Sequence, residues 1–112
     1  MNVKSAKAKG RKLQNFVVDK LRKAYPELED DDIKAQIMGV SGEDVVLSPL
    51  AKRLIKLSFE CKNQERLNLW DSLSQAETNA ENRTPVLVFK RNRSKTYATI
   101  PFDFLIELLS TN

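Results

Sequence analysis

The 112-residue sequence has 41% apolar and 30% charged residues and a net charge of +4, a balance typical of one globular domain rather than a disordered chain. It has no histidine and one cysteine, Cys61, which excludes internal disulfides, zinc sites built from Cys and His, and hydrolysis by a histidine base. Any hydrolytic chemistry must therefore depend on carboxylates, lysines and a hard metal ion that prefers oxygen ligands.

The chain is expected to lie inside the cell and away from the membrane. Its apolar runs are far shorter than the roughly 20 residues that a membrane span needs. Its lysine-rich beginning has no apolar segment like that of a secretory signal. The sequence thus predicts a cytoplasmic protein with no membrane partner.

The first predicted element is a helix that begins near residue 7 or 11 and ends at Tyr25. Pro26 ends it, because the residue before a proline avoids helical backbone angles. Residues 1–8 are expected to be a flexible basic segment of a single domain that spans residues 1–112. The apolar stripe that indicates this helix consists of Leu13, Phe16, Val17, Leu21 and Ala24.

Three strands are predicted next, after an acidic loop at residues 27–32. Residues 33–38 alternate well enough for a strand, although a short helix capped by an aspartate is the alternative. Residues 43–48 form the second strand, and residues 50–54 a short connection with room for one helical turn. Residues 55–62 alternate cleanly between apolar and polar side chains and form the third strand.

The second half is predicted to contain a helix at residues 68–80, strands at 85–90 and 95–100, and a closing helix at 102–109. The first of these two strands is mostly apolar, as a buried central strand should be. The element order is therefore α-β-β-β-α-β-β-α. This order predicts an α/β (α+β) domain with a mixed β-sheet flanked by helices.

A charged pair stands out on the third predicted strand. Glu60 and Lys62 are two residues apart, so their side chains project from the same face. Asp44, at the start of the second strand, is expected to lie beside them. The alternative is an edge strand whose ion pair simply faces water. Glu43 should point away from Asp44, but a register shift of one residue would exchange the two.

These residue types in this arrangement favour a magnesium site. Asp44 and Glu60 can hold Mg²⁺, a hard cation that takes oxygen ligands, and the backbone carbonyl of Cys61 can supply a further oxygen. Lys62 would then lie beside the attacking water, where it can orient that water and stabilise developing negative charge.

Basic residues are concentrated in two places, near the N-terminus and in a late turn. Segregated positive charge suits a polyanion such as nucleic acid, and the alternative is a solubilising surface. The candidate nucleic-acid contacts are Lys7, Lys9, Arg11, Lys12, Lys90, Arg91, Arg93 and Lys95.

The acidic and lysine positions resemble a known signature. Asp44 is followed, after fifteen residues, by Glu60-Cys61-Lys62; this pattern resembles the signature of the PD-(D/E)XK nuclease superfamily. A longer set of segments is similar to small phage-type PDDEXK endonucleases, which are often described as Holliday junction resolvase-like; it comprises residues 41–49, 59–65, 68–70 and 75–77. The resemblance covers roughly residues 10–89 and implies an α-β-β-β-α-β core.

The resemblance also implies roles for single residues. Asp44 and Glu60 become the metal ligands and Lys62 the catalytic lysine. Gln75 matches a glutamine that points at the active site in many relatives, and its alternative is a solvent-facing helix residue. Many relatives also have a metal-binding glutamate on the first helix; here Gln14 stands near that place, which leaves a second metal site open.

One aromatic residue has two interpretations. Trp70 can stack on a nucleobase. Its helical spacing with Leu69 and Leu73 instead favours a place in the core.

The expected function is an Mg²⁺-dependent endonuclease, with Mn²⁺ as a substitute, that cleaves branched or otherwise structured DNA such as a four-way junction. The alternatives are a single-strand, flap or nicking nuclease on the same site, or an inactive DNA-binding protein on a nuclease fold. A homodimer is expected, because two cuts of opposite polarity need two sites. Its interface would be the apolar side of the first helix or residues 102–109.

Overall fold

The computed structural model describes residues 2–111. Within that range the chain forms a mixed α/β fold of four α-helices and two small sheets. The helices are α1 (Val3–Ala24), α2 (Pro49–Leu54), α3 (Leu69–Ala80) and α4 (Phe102–Ser110). The strands are β1 (Ile33–Ala35), β2 (Val45–Leu47), β3 (Leu57–Asn63), β4 (Thr84–Lys90) and β5 (Tyr97–Thr99).

Helix α1 begins earlier than the sequence predicted. The Asn2 side chain caps it by accepting a hydrogen bond of 2.8 Å from the Ser5 N–H, so the helix starts at Val3. Residues 3–8, which were expected to form a flexible segment, therefore lie within the helix. Met1 lies outside the described residues.

The buried face of α1 also differs from the predicted stripe. It consists of Leu13, Gln14, Val17 and Val18. Phe16 is exposed instead, with the Lys20 ammonium 5.4 Å from the centre of its ring. The pattern of apolar residues thus predicted the existence and the end of this helix but assigned Phe16 to its buried face, because it could not anticipate that a glutamine would be buried.

Strands β1 and β2 form an antiparallel hairpin in which Ile33 pairs with Leu47. A single 3₁₀ turn, Asp30–Asp32, precedes β1. Of residues 33–38, which were predicted as a strand, Ile33–Ala35 form one, and the alternative of a short helix is wrong. Both strands are shorter than predicted. The chain between them turns through Gly39 and Gly42, whose φ values of 89° and 108° favour glycine.

Strand β4 is the centre of the second sheet, parallel to β3 and antiparallel to β5. It is buried at Val86, Leu87 and Val88, as predicted for a central strand. The predicted single mixed sheet is instead two sheets. The hairpin meets β3 through the Asp44 N–H, which donates to the Phe59 carbonyl at 3.0 Å, and β2 itself does not join the ladder of β3.

The hydrophobic core lies where α1 covers the hairpin and strands β3 and β4. Its members on α1 and the hairpin are Leu13, Val17, Val18, Ile33, Val45 and Leu47, and those around β3 and β4 are Ala51, Ile55, Phe59, Cys61, Val86 and Val88. Phe59 and Cys61 of β3 point into this core. Glu60 and Lys62 alternate with them and therefore project from the opposite side of the strand.

Helix α4 stands apart from this core. None of its residues is buried, although most of them are apolar. Within residues 2–111 no helix combines the length and the apolar character needed to cross a membrane.

Candidate active site

A cavity of about 750 Å³ opens between β3, α3 and the turn at residues 39–42. Asp44, Glu60 and Lys62 line it, so the structure brings together the three residues that the sequence singled out. Residues of α3 form the opposite wall, Gln75 and Asn79 among them. The cavity therefore has acidic, basic and amide groups in one place.

Asp44 is held by both its backbone and its side chain. Its N–H donates to the Phe59 carbonyl at 3.0 Å, and its Oδ2 accepts from the Cys61 N–H at 2.7 Å. The N–H and carbonyl of one strand residue point to the same edge of the strand. The Cys61 carbonyl thus lies on the edge of β3 that faces Asp44.

Glu60 is almost completely buried, with 5% of its surface exposed. Its Oε1 accepts a hydrogen bond of 3.2 Å from the Asn79 amide, which also donates to the Gly42 carbonyl at 3.1 Å. Its Oε2 lies 4.0 Å from the Lys62 Nζ. Asn79 was missed by the sequence analysis, although it lies one helical turn after Gln75 and so shares its face.

Burial raises the pKa of both carboxyl groups, and the Asp44 charge adds to this effect at Glu60. Burial, together with the negative charge of Asp44, raises the pKa of Glu60 to about 7. Burial also raises the pKa of Asp44, although the Cys61 N–H and the Lys62 charge oppose this. The two carboxyl groups are therefore short of positive charge even with Lys62 beside them.

Glu43 points away from this cavity, as its position next to Asp44 predicted. It forms an ion pair with Arg83 and accepts a hydrogen bond of 2.8 Å from the Ser58 hydroxyl. Arg83 also donates to the Leu57 carbonyl at 3.2 Å. This buried network occupies Glu43 and fixes the register, so that Asp44 faces the cavity.

Gln14 brings a side-chain amide from α1 to the Asp44 carboxylate. It is only 5% exposed, and its side chain lowers the pKa of Asp44 as a hydrogen-bonding neighbour. Its Oε1 is buried with no hydrogen-bond partner among residues 2–111. A buried, unpaired amide oxygen is costly, so it marks a place where a further partner would be favourable.

The Cys61 thiol lies on the core side of β3. It is buried, and burial raises the pKa of the thiol far above its usual range. A thiol that does not ionise is a poor nucleophile and a poor metal ligand. The backbone of Cys61, rather than its sulfur, is thus the part that faces the candidate site.

Trp70 is 78% exposed, so its predicted place in the core is wrong. Helix α3 packs through Ser72, Ala76 and Ala80, whose small side chains allow a close approach to the sheet. That choice of face turns Trp70 outward. Gln75 is exposed as well, but it lines the cavity, which combines its two predicted alternatives.

The predicted basic clusters differ in how far they reach the surface. The exposed members are Lys7, Arg11, Lys12, Arg91, Arg93 and Lys95, whereas Lys90 is half-buried. Lys9 does not fit a surface contact, because its Nζ is buried and has no hydrogen-bond partner among residues 2–111. Helical spacing turned this lysine inward, toward the end of β3, where its carbonyl accepts a hydrogen bond of 3.1 Å from Asn63.

The chain matches no family model, no curated protein and no solved structure. Within residues 2–111 there is also no group of three or more Cys, Asp or Glu side chains placed to share a metal ion. The cavity combines the adjacent carboxyl groups of Asp44 and Glu60 with the Lys62 ammonium, the Asp71 carboxylate and several amide or carbonyl oxygens.

Proposed function

We propose that this protein is an Mg²⁺-dependent endonuclease of the PD-(D/E)XK type that hydrolyses phosphodiester bonds in DNA. The observation that carries the proposal is the pairing of Asp44 with the buried Glu60, beside the Lys62 ammonium, on one cavity. Adjacent buried carboxylates are unfavourable unless positive charge offsets them. A divalent cation supplies that charge, and Mn²⁺ can replace Mg²⁺.

The donor set supports a hard cation. Asp44 and Glu60 would hold it through carboxylate oxygens, with the Cys61 carbonyl on the neighbouring strand edge as a neutral ligand. The unpaired Oε1 of Gln14 is a further oxygen beside Asp44. When bound, the ion supplies Lewis-acid activation and neutralises charge on the phosphate.

The remaining residues of the cavity would orient and stabilise. The Lys62 ammonium would hold the attacking water and stabilise the negative charge that develops on the phosphate. Asn79 would keep the Glu60 carboxylate in one orientation, because its amide ties that carboxylate to the Gly42 carbonyl. Gln75 lines the opposite wall, where its amide can donate to a phosphate oxygen.

Positive charge at the surface supports DNA as the substrate. The exposed lysines and arginines of α1 and of the turn after β4 can bind phosphates on either side of the cut. Branched DNA, such as a four-way junction, is the proposed substrate. Single-strand, flap or nicking activity on the same site is the alternative.

A homodimer belongs to this proposal. One site cuts one strand, so paired cuts of opposite polarity follow from two-fold symmetry. Helix α4 is the proposed contact with the second copy. It carries several large apolar side chains, none of which is buried, and such an exposed apolar face is unusual unless another surface covers it. They are Phe102, Leu105, Ile106, Leu108 and Leu109.

The test compares labelled linear duplex, single-stranded and four-way-junction DNA, each with Mg²⁺ and with EDTA. We expect cleavage with Mg²⁺ that EDTA abolishes, and paired nicks in the junction. A matched control is Glu77→Gln, which removes an exposed carboxylate of α3 outside the cavity. Absence of cleavage of all three substrates in Mg²⁺ and in Mn²⁺ would leave a DNA-binding protein without activity.

A further inference from the structure

A second cavity, of about 310 Å³, adjoins the candidate active site. Gln64 lines both cavities, and it lies two residues beyond Lys62 in the chain. The Gln64 N–H donates to the Lys90 carbonyl at 3.1 Å, which ties the end of β3 to the end of β4. A ligand in the second cavity would therefore lie next to one in the first.

The floor of the second cavity is aromatic. Tyr97 pairs with Phe89 across β4 and β5, and their rings stack with centroids 6.1 Å apart and planes at 30°. Phe89 is half-buried, while Tyr97 is 55% exposed. Both rings sit on strands, so Tyr97 presents a supported flat surface that is open on one side.

Cationic residues form the rim on the same side. Lys90 and Arg91 line the cavity where β4 ends. The turn that follows is held in place, because Glu65 accepts a hydrogen bond of 2.6 Å from the Asn92 N–H and the Ser94 hydroxyl accepts one of 3.0 Å from the Arg91 N–H. Glu65 is the acid in this cavity, and this hydrogen bond uses its carboxylate to order the turn.

We infer that this second cavity binds one unpaired nucleobase of the DNA strand that is cut, stacked on Tyr97. Arg91 and Lys90 would bind the phosphates next to that base. A base within a duplex is covered on both faces and cannot reach an open ring. The nucleotide beside the cut must therefore be unpaired in the bound substrate, as it is in a flap or a single strand and as it becomes at a branch point that opens on binding. The inference rests on the proposed nuclease site for the position of the scissile phosphate, but stacking itself needs no metal.

The experiment measures binding in EDTA, where no cleavage is expected, by fluorescence anisotropy. The probes are a labelled single-stranded oligonucleotide, a duplex of the same sequence, and single strands with one abasic nucleotide placed at each position in turn. The variants are Tyr97→Ala and Tyr97→Phe. Phe16→Ala serves as the control, because Phe16 is an exposed aromatic residue of α1 outside this cavity.

We expect Tyr97→Ala to weaken single-strand binding roughly 5- to 100-fold, the range of one lost base stack, and Tyr97→Phe to bind like the wild type. One abasic position should weaken binding of the wild type by a similar factor and leave Tyr97→Ala unchanged. The abasic series with the wild type keeps the test valid if Tyr97→Ala folds poorly.

The two proposals fail in different ways. If the wild type cuts DNA with Mg²⁺ but tolerates every abasic position, the stacking site is overturned and the nuclease stands. If binding depends on Tyr97 and on one base but no metal supports cleavage, the stacking site stands and the nuclease is overturned. Equal binding of duplex and single strand by the wild type also overturns the stacking site.

Discussion

Replacing Glu60 by glutamine should make the metal-free protein more stable at neutral pH and flatten the dependence of its stability on pH. Burial and the Asp44 charge raise the pKa of Glu60 from 4.5 to about 7, so the folded protein keeps a proton that the unfolded chain has already lost. The free energy of unfolding then falls as the pH rises through this window. It is unaffected by Glu60 below the pKa of the unfolded chain.

The size of the effect follows from the same two values. Each pH unit over which the folded and unfolded chains differ by one proton changes the free energy of unfolding by about 1.4 kcal/mol. A pKa raised from 4.5 to about 7 therefore costs on the order of 3 kcal/mol at neutral pH. Burial also raises the pKa of Asp44, which adds a cost of the same sign that Glu60→Gln leaves in place.

Urea denaturation in EDTA, followed by far-UV circular dichroism between about pH 4.5 and 8, measures this directly. We expect the wild type to lose stability across the range and Glu60→Gln to lose much less. Glu77→Gln is the matched control and should follow the wild type. Wild-type stability that stays level or rises with pH, with Glu60→Gln parallel to it, would refute the view that the carboxyl pair is electrostatically frustrated.

Three further expectations concern cleavage, DNA contacts and assembly. Asp44→Asn should abolish cleavage without loss of DNA binding, and Lys62→Ala should slow cleavage about 10²- to 10⁴-fold. Single-turnover assays measure the cleavage rate of both variants, and normal turnover by Lys62→Ala would contradict the mechanism. Replacing either Arg91 or Arg93 by a neutral residue should reduce the slope of log affinity against log salt concentration for duplex DNA by about 0.9. An unchanged slope would place this turn away from the phosphates. Ile106→Glu should shift the mass from light scattering from dimer to monomer, whereas a wild type that is already monomeric with and without DNA would contradict a dimer through α4.

The meeting of Asp44, Glu60 and Lys62 could be predicted from strand alternation and from the spacing of the three residues. Alternation along β3 sets the face of Glu60 and Lys62. Asp44 lies beside that strand because its N–H donates to the Phe59 carbonyl, and its place was indicated by its spacing from Glu60 in the signature that the sequence resembles. The sequence alone was therefore enough to place the three groups on one side.

The groups that were missed or misplaced depend on how helices rotate against the sheet. Asn79 reaches Glu60, and Trp70 turns outward, because α3 packs through small residues rather than through its largest apolar side chain. In the same way, α1 buries Gln14 and leaves Phe16 exposed. Apolar periodicity predicts that the most hydrophobic face of a helix is buried. In the folded chain the buried face is instead the one whose shape and polar groups fit the neighbouring elements.

The parallel pairing of β3 with β4 affects the stage of folding at which the candidate site forms. Parallel neighbours need a crossover, so Glu60 and Asn79 come into contact as α3 folds back to let β4 pair. Long-range parallel pairing is among the slower steps of folding. A nascent chain that has formed only α1 and the hairpin carries Asp44 without its partners. The proposed nuclease site is thus a late product of folding, and partly folded chains would lack it.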